Sequence, residues 1–260
     1  MEYKKNKVVE KLKKDQLVTC VKLNITDNIP AELAALCGVD CIWVDMEHVP
    51  ADLGQVNRAI LGAKAYGAES IVRTARGAYS NVIRPLEMDA SGVMVPHVMN
   101  YEDAKQVVYY TKFHPIGRRP IDGGNADGKY CLLDTADYIR YSNEEKLTII
   151  QIEDVEAMED LDKIAALEGI DMLFFGPADF SQSIGNPVNI WNEKTLEARK
   201  KVAEAARAHN KFAGTVGGLG NVKELYDMGF RFINLGADVC ALSDYFTQIV
   251  SGVKDMGLLG

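Results

Sequence analysis

The feature that most constrains the fold of this chain is the regular alternation of short apolar runs with longer stretches of helical spacing. Eight runs are rich in β-branched and aromatic residues and are typical of buried parallel strands. They cover residues 17–23, 39–45, 69–74, 92–96, 147–153, 171–176, 211–215 and 231–236. Strand–helix alternation indicates a parallel sheet, and eight rounds predict closure into an α/β fold, the (β/α)8 TIM barrel.

The chain length agrees with a single barrel. The sequence has 260 residues, and barrels of about 250 residues form one domain. No linker or internal repeat divides residues 1–260. The lysine-rich residues 1–16 predict a cap helix over the bottom of the barrel. Residues 113–134 are rich in glycine and proline and have no period, so we expect a lid or an oligomer contact over the active face.

Composition narrows the class of partner. A formal net charge of −8 argues against nucleic acid, because binding phosphates requires a basic surface. It permits a small anionic substrate, since local charge can oppose the net sign. No run reaches the roughly 18 apolar residues of a membrane span. Five cysteines without a CxxC pair or a signal peptide predict a cytoplasmic location.

Charged side chains follow four of the predicted strands. Asp45 to His48 follow the second strand, and Arg73 ends the third. Glu153 ends the fifth strand, and Asp179 follows the sixth. Reactive groups of barrel enzymes lie where strands end and loops begin. The sequence therefore predicts an enzyme site at the carboxyl end of the barrel.

Glu153 and Asp179 are the first pair of interest. Carboxylate oxygens suit Mg²⁺ or Mn²⁺, with Co²⁺ as a further option, and Mg²⁺ needs only one or two protein carboxylates. Each acid also has a structural interpretation, Glu153 as the start of an acidic run that caps a helix and Asp179 as a simple N-cap. The spacing alone leaves both interpretations open.

Asp45, His48 and Arg73 form a second group. A histidine near an acid can act as a general acid or base at neutral pH, although a solvated loop histidine is the ordinary alternative. A guanidinium in a barrel mouth can clamp a carboxylate or a developing oxyanion, or it can form a buried ion pair with Glu47 or Glu87. His97 is a weaker candidate to line the mouth.

The turn from Gly176 to Asp179 offers backbone N–H groups at a predicted helix start, which is a typical anion site. Pro177 has no N–H, so the donors are Ala178 and Asp179. Lys22 is the nearest lysine to a strand end, and its position is weak evidence for imine formation. Metal chemistry is therefore favoured over a Schiff base.

Four motifs together resemble the class II pyruvate aldolases, which include 4-hydroxy-2-oxoheptanedioate aldolase and 2-keto-3-deoxy-L-rhamnonate aldolase. The similarity extends over about residues 24–242. It rests on Val44-Asp45-Met46-Glu47-His48, Ile71-Val72-Arg73, Gln151-Ile152-Glu153 and Gly176-Pro177-Ala178-Asp179-Phe180-Ser181.

The resemblance implies a role for each matching residue. Glu153 and Asp179 would bind the divalent metal, His48 would be the acid/base oriented by Asp45, and Arg73 would stabilise the enolate. The remaining implied positions are Gln151 and the Gly176–Asp179 turn for substrate binding and Glu87, which in the family reaches a neighbouring subunit's site. The resemblance also implies a hexamer that swaps its last helix between subunits.

The activity implied by this resemblance is cleavage of a 2-oxo-4-hydroxy acid to pyruvate and an aldehyde, through an enolate that the metal and Arg73 stabilise. Such substrates include 2-keto-3-deoxy sugar acids and dicarboxylates. The alternatives are a related lyase acting on acyl-CoA substrates and a non-catalytic barrel that binds sugar acids. Met46, Thr74 and Asp89 depart from the usual family residues, and Arg118, Arg119 and Asn125 are expected to meet the distal end of the substrate.

Overall fold

A computed structural model describes residues 5–259 of the chain. Eight parallel strands close into a barrel in the order β1 to β8. This confirms the predicted α/β barrel in a single domain, and all eight predicted runs contain strands. The strands are β1 (Val18–Leu23), β2 (Cys41–Asp45), β3 (Glu69–Arg73), β4 (Gly92–Val95), β5 (Leu147–Ile152), β6 (Met172–Phe175), β7 (Phe212–Val216) and β8 (Phe232–Ala237).

Helices surround the barrel, and most of them connect one strand to the next. None of the helices among residues 5–259 has the length and apolar character needed to cross a membrane. The helices are α1 (Lys7–Lys13), α2 (Asn28–Leu36), α3 (Leu53–Ala65), α4 (Tyr79–Glu87), α5 (Tyr101–Thr111), α6 (Thr135–Glu145), α7 (Leu161–Ala166), α8 (Pro177–Ser183), α9 (Glu193–Ala208), α10 (Val222–Asp227) and α11 (Asp238–Asp255).

The barrel interior is filled by side chains from alternate strand positions. Trp43 packs edge-on against Phe174, with ring centroids 5.4 Å apart, and Phe174 meets Phe232 in the same way. Helix α1 adds its buried side chains Val8 and Leu12 to this interior cluster. Residues 1–4 of the expected cap segment lie outside the described residues. The interior is a packed core, so substrate chemistry is confined to one end of the barrel.

The segment between α5 and α6 lies at the amino ends of the strands. Lys129 donates to Asp89, which precedes β4, at 2.7 Å, and Lys112 donates to Asp171, which precedes β6, at 2.8 Å. The prediction that residues 113–134 cover the active face is therefore wrong. Helix α5 has already returned the chain to the amino end, and the segment that joins it to β5 stays there.

Arg119 in this segment is a structural residue. Its side chain is fully buried, pairs with Asp127 at 2.6 Å and stacks over Phe113 at 4.8 Å. The expectation that Arg119 meets the distal end of the substrate is also wrong. The charge of Arg119 is used to hold the segment against α6 through Ser142.

Helix α11 is exposed along its whole length. None of its side chains is buried, and its first residue, Asp238, anchors it by accepting hydrogen bonds from the backbone of Asn24 and Ile25. Large apolar residues on this helix face solvent in the single chain: Tyr245, Phe246, Ile249 and Val250. Exposed apolar helix faces are typical of protein–protein contacts.

Candidate active site

Two pairs of neighbouring strands, β2 with β3 and β5 with β6, carry the predicted site residues to the same end of the barrel. Asp45 ends β2 and is in register with Arg73, which ends β3. Glu153 directly follows β5, and Gly176 directly follows β6, whose strand is the neighbour of β5. All of these positions lie at carboxyl ends of parallel strands, which is where barrel enzymes place their chemistry.

Asp45 is buried and ion-paired with two cations. Arg73 donates from Nε at 2.8 Å and from Nη2 at 2.7 Å, and Lys22 Nζ lies 2.8 Å from the same carboxylate. Burial alone raises the pKa of Asp45, but the hydrogen bonds and charge of Arg73 outweigh it and hold the pKa at about 2. The structure differs here from the expectation that Asp45 orients His48, because Arg73 and Lys22 occupy the carboxylate.

Arg73 is held in a fixed orientation. Its Nη1 atom lies 3.0 Å from Glu47 Oε2, and its guanidinium stacks over Trp43 at 4.8 Å. The ion pair with Glu47 is thus present, whereas Glu87 is tied by its backbone to Asp127 in the segment at the amino ends. Hydrogen bonds to Asp45 use two of the five guanidinium N–H donors, which leaves N–H groups on Nη1 and Nη2 for a substrate.

Glu153 is a fully buried carboxylate. It accepts a hydrogen bond from the backbone N–H of His97 at 2.9 Å and another from the side chain of Gln151. Burial raises the pKa of Glu153 to about 7; the His97 backbone opposes the shift, and the charges of Asp179 and Glu47 add to it. A buried carboxylate among other carboxylates is a site that a divalent cation would stabilise.

Gly176 makes room for this carboxylate. A Cβ atom at position 176 would lie 2.5 Å from Glu153 Oε2 and 3.0 Å from Gln151 Nε2. Asp179 is half-buried in the first turn of α8, close enough for its charge to raise the pKa of Glu153. Ala178 is exposed next to it. The residues present therefore fit a divalent cation at Glu153 and Asp179.

His97 is more central to the site than the sequence analysis predicts. Its Nδ1 atom lies 2.9 Å from Asp154, and its Nε2 atom lies 3.3 Å from Glu47 Oε1. Oxygen and nitrogen atoms of Glu47, His97 and Glu153 all lie within 4.8 Å of one another. The available signal was the position of His97, two residues beyond β4 in the same pattern as the other site residues.

His48 is an exposed member of the predicted site. About half of its side chain faces solvent, and Nε2 lies 3.7 Å from Glu47 Oε2. It stands in the short loop after β2, at the mouth of the site. Its position allows contact with a substrate or with a second polypeptide chain.

Comparisons with known proteins agree with this arrangement. The sequence profile of a family described as HpcH/HpaI aldolase/citrate lyase matches residues 23–244. A 2-keto-3-deoxy-L-rhamnonate aldolase from Escherichia coli strain K12 is 27% identical over 251 residues, covering 96% of this chain and 93% of the relative. The structure of an HpcH/HpaI aldolase from Desulfitobacterium hafniense DCB-2 aligns with a TM-score of 0.88 at 28% identity, over 97% of each chain. The structure of the citrate synthase SbnG aligns with a TM-score of 0.87 at 26% identity, over 95% of this chain and 97% of that one.

Proposed function

We propose that this chain, which belongs to the HpcH/HpaI aldolase/citrate lyase family of carbon–carbon lyases, cleaves a 2-oxo-4-hydroxy acid to pyruvate and an aldehyde. The observation that carries the proposal is the buried Glu153 near the charge of Asp179, on the same barrel end as the fixed guanidinium of Arg73. A 2-keto-3-deoxy sugar acid is the first substrate class to test, because a relative is an aldolase for 2-keto-3-deoxy-L-rhamnonate.

Glu153 and Asp179 would hold the divalent cation, for which Mg²⁺, Mn²⁺ and Co²⁺ are the candidates. When bound, such an ion supplies Lewis-acid polarisation of a 2-oxo group. The charge balance supports a cation. The site gathers five carboxylates, and the ion pairs found among residues 5–259 provide two permanent cations for them, Lys22 and Arg73. The carboxylates are those of Asp45, Glu47, Glu153, Asp154 and Asp179.

Arg73 would bind the 2-oxo oxygen and stabilise the negative charge that develops there. Asp45 fixes the guanidinium plane through two hydrogen bonds, so no reorganisation is needed when charge develops. Gln151 lines the pocket beside Glu153. The Gly176-Pro177-Ala178-Asp179 turn would donate the N–H groups of Ala178 and Asp179 to the substrate carboxylate.

His48 would remove the proton from the 4-hydroxyl group. The C3–C4 bond then breaks, its electron pair moves toward the 2-oxo oxygen as an enolate that Arg73 stabilises, and the aldehyde leaves. Return of the proton from His48 to C3 gives pyruvate. General-base catalysis of this kind contributes about 10²–10⁴ to a rate. The acid next to His48 Nε2 in the same chain is Glu47, and its Oε2 atom lies 3.7 Å away, beyond hydrogen-bond distance. We therefore propose a homo-oligomer, with a hexamer as the state implied by the resemblance, in which a partner chain completes the surroundings of His48.

The test is pyruvate release from a panel of 2-oxo-4-hydroxy acids, measured with Mg²⁺ or Mn²⁺ and then with a chelator. We expect release that chelator abolishes, that metal restores, and that Glu153→Gln loses while the protein remains folded. Glu159→Gln serves as the matched control, because Glu159 lies beyond the 3₁₀ turn of residues 156–158 and takes no part in the site.

A second candidate is aldol chemistry on citrate or a related tricarboxylate. The likeness to the citrate synthase SbnG favours it. Citrate and acyl-CoA substrates therefore belong in the same panel. Metal binding without pyruvate release from any 2-oxo-4-hydroxy acid would contradict the first proposal, and turnover of citrate would then support the second.

A further inference from the structure

His97 lies between two acidic side chains in a way that suits a metal ligand. Nδ1 lies 2.9 Å from Asp154 and 3.8 Å from Glu153 Oε1, and Nε2 lies 3.3 Å from Glu47 Oε1. Metal-binding histidines commonly donate one ring N–H to a carboxylate, which fixes the ring and its tautomer while the other nitrogen binds the ion. Asp154 would be the carboxylate that accepts the Nδ1–H hydrogen bond here.

The backbone at His97 is also specialised. Its φ angle is +50°, in the left-handed region that non-glycine residues rarely adopt, and its N–H donates to Glu153. The backbone conformation therefore brings the imidazole and the buried carboxylate into one group. Glu47 joins from β2 with Oε2 toward Arg73, so its other oxygen, Oε1, remains on the side of His97.

A separate observation points to a ligand at this position. Gln151 is 98% buried and donates its amide N–H to Glu153, yet its Oε1 atom has no hydrogen-bond partner among residues 5–259. A buried amide oxygen without a partner is costly unless water or an ion meets it. A hydrated cation beside Glu153 would supply that partner.

We propose that Glu47, His97 and Glu153 form a divalent transition-metal site, with one carboxylate oxygen from each acid and Nε2 of His97 as ligands. The proposal rests on the proposed function, because the site shares Glu153 with the Glu153–Asp179 pair. Ligand atoms around one tetrahedral ion with bonds of about 2.0–2.2 Å are about 3.4 Å apart. The three ligand groups now lie within 4.8 Å of one another, so binding would draw them together by up to about 1.4 Å, with His97 turning its Nε2 atom toward Glu153.

The nitrogen ligand changes which metals the site prefers. Imidazole suits Zn²⁺, Co²⁺ and similar ions, whereas Mg²⁺ prefers oxygen ligands and retains water. We therefore expect the site to bind Co²⁺ or Zn²⁺ more tightly than Mg²⁺. The difference should be larger than the one expected for a site with oxygen ligands alone. That extra preference depends on His97 and on the orientation that Asp154 gives it.

The test is titration of the chelator-treated, desalted full-length protein with Co²⁺, followed by calorimetry and by the visible absorption of the bound ion. We expect His97→Gln to weaken Co²⁺ binding by about 100-fold and to alter its absorption bands, and Asp154→Asn to weaken it by about 10-fold. Mg²⁺ affinity of the same variants, measured by competition, should change much less.

His209→Gln is the matched control, because His209 also pairs with a carboxylate, Asp162, but lies far from the site at the end of α9. Circular dichroism and urea unfolding establish that each variant is folded. Wild-type Co²⁺ affinity and absorption in His97→Gln, or no Co²⁺ binding by the wild type, overturns the proposal. A failure of the proposed function has a different signature: Co²⁺ binds through His97, but no 2-oxo-4-hydroxy acid releases pyruvate.

Discussion

Gly176 controls the position of the buried carboxylate at the centre of the site. Gly176→Ala would place a Cβ atom 2.5 Å from Glu153 Oε2, so Glu153 would have to shift. Overpacking of this kind costs about 1–3 kcal/mol of stability. We expect metal affinity to fall by about 10-fold, as when a ligand loses its orientation, and calorimetric titration with Mn²⁺ measures it.

Gly218→Ala is the matched control for this substitution. Gly218 lies in the loop after β7, and nothing stands within 4 Å of the position that its Cβ would take. We expect this variant to bind Mn²⁺ as the wild type does. Unchanged Mn²⁺ affinity in Gly176→Ala would contradict the assigned role of Gly176.

Asp89 differs from the residue expected at this position from the resemblance, and its side chain forms ion pairs in the structure. Its φ angle is +67°, a conformation in which glycine is the ordinary residue. The aspartate at this position pairs with three lysines, Lys64 at 2.6 Å, Lys129 at 2.7 Å and Lys146. The charge of Asp89 therefore joins α3, the segment before α6 and the start of β5.

We expect Asp89→Asn to destabilise the protein by about 3–5 kcal/mol at pH 7, because it leaves the buried Lys146 without its counter-ion. Burial raises the pKa of Asp89, but the three lysines outweigh it and hold the pKa well below the usual 3.8. A lowered pKa contributes stability above pH 4 that is lost as the pH falls. Urea unfolding from pH 7 to pH 3 should therefore show a smaller loss of stability in the variant than in the wild type.

Asp137→Asn controls for the loss of one acidic charge, because Asp137 forms an exposed ion pair with Arg140. Exposed pairs contribute about 0–1 kcal/mol. Equal stability curves for Asp89→Asn and Asp137→Asn would show that the lysine cluster does not depend on Asp89.

At the scale of elements, the strands were the predictable part. Every predicted run contains a strand whose ends differ by at most two residues, because buried parallel strands have nearly continuous apolar sequences. The strand ends also located Asp45, Arg73 and Glu153 at one end of the barrel. The sequence did not show in the same way which side chains pair with each other. The ion pair of Asp45 with Arg73 depends on the register between β2 and β3.

The irregular segment after α5 shows a different limit. Glycine and proline content predicts that residues 113–134 form no regular element, but it does not indicate at which end of the barrel they lie. Chain direction decides that, because a segment between a helix and the following strand lies at the amino end. The buried ion pair of this segment, between Arg119 and Asp127, therefore stabilises the fold.

Arg119→Met tests this assignment. Its removal leaves Asp127 buried without a counter-ion, and breaking such a pair costs about 3–5 kcal/mol. We expect a large drop in the free energy of unfolding, measured in urea, with an unchanged KM for the cleaved 2-oxo acid. Arg118→Met, at the exposed neighbouring position, is the control and should leave stability unchanged. A raised KM in folded Arg119→Met would return this residue to substrate binding.

Helix α11 predicts that copies of the chain associate with one another. Its apolar side chains are exposed in one chain, and Phe246 is 56% exposed. We expect the protein to form an oligomer with a mass that is a multiple of 28.6 kDa, measured by light scattering after size exclusion. Phe246→Asp should shift the protein to a smaller species because it places a charge in the apolar contact. Gln248→Asp, on the same helix, should not, and a wild-type monomer would contradict the prediction.

Association also bears on whether one chain can form a complete site. Glu87 ends α4 near the amino ends of the strands, where its backbone oxygen accepts from Asp127, whereas His48 lies at the carboxyl ends. Glu87 therefore cannot reach His48 of its own chain. If the partner subunit's Glu87 reaches this site, as the resemblance implies, each site contains residues from two copies of the chain.

Subunit complementation tests this arrangement directly. We expect His48→Asn and Glu87→Gln each to lose pyruvate release as pure oligomers. Co-expression of the two variants in equal amounts should restore about a quarter of the sites, because a site then regains both side chains when the Glu87 variant supplies His48 and the His48 variant supplies Glu87. Co-expression of His48→Asn with Arg73→Lys is the control: both changes lie on the same side of the interface, so no mixed site becomes complete. Co-expressed His48→Asn and Glu87→Gln with no more activity than the pure variants would place the whole reaction within one chain.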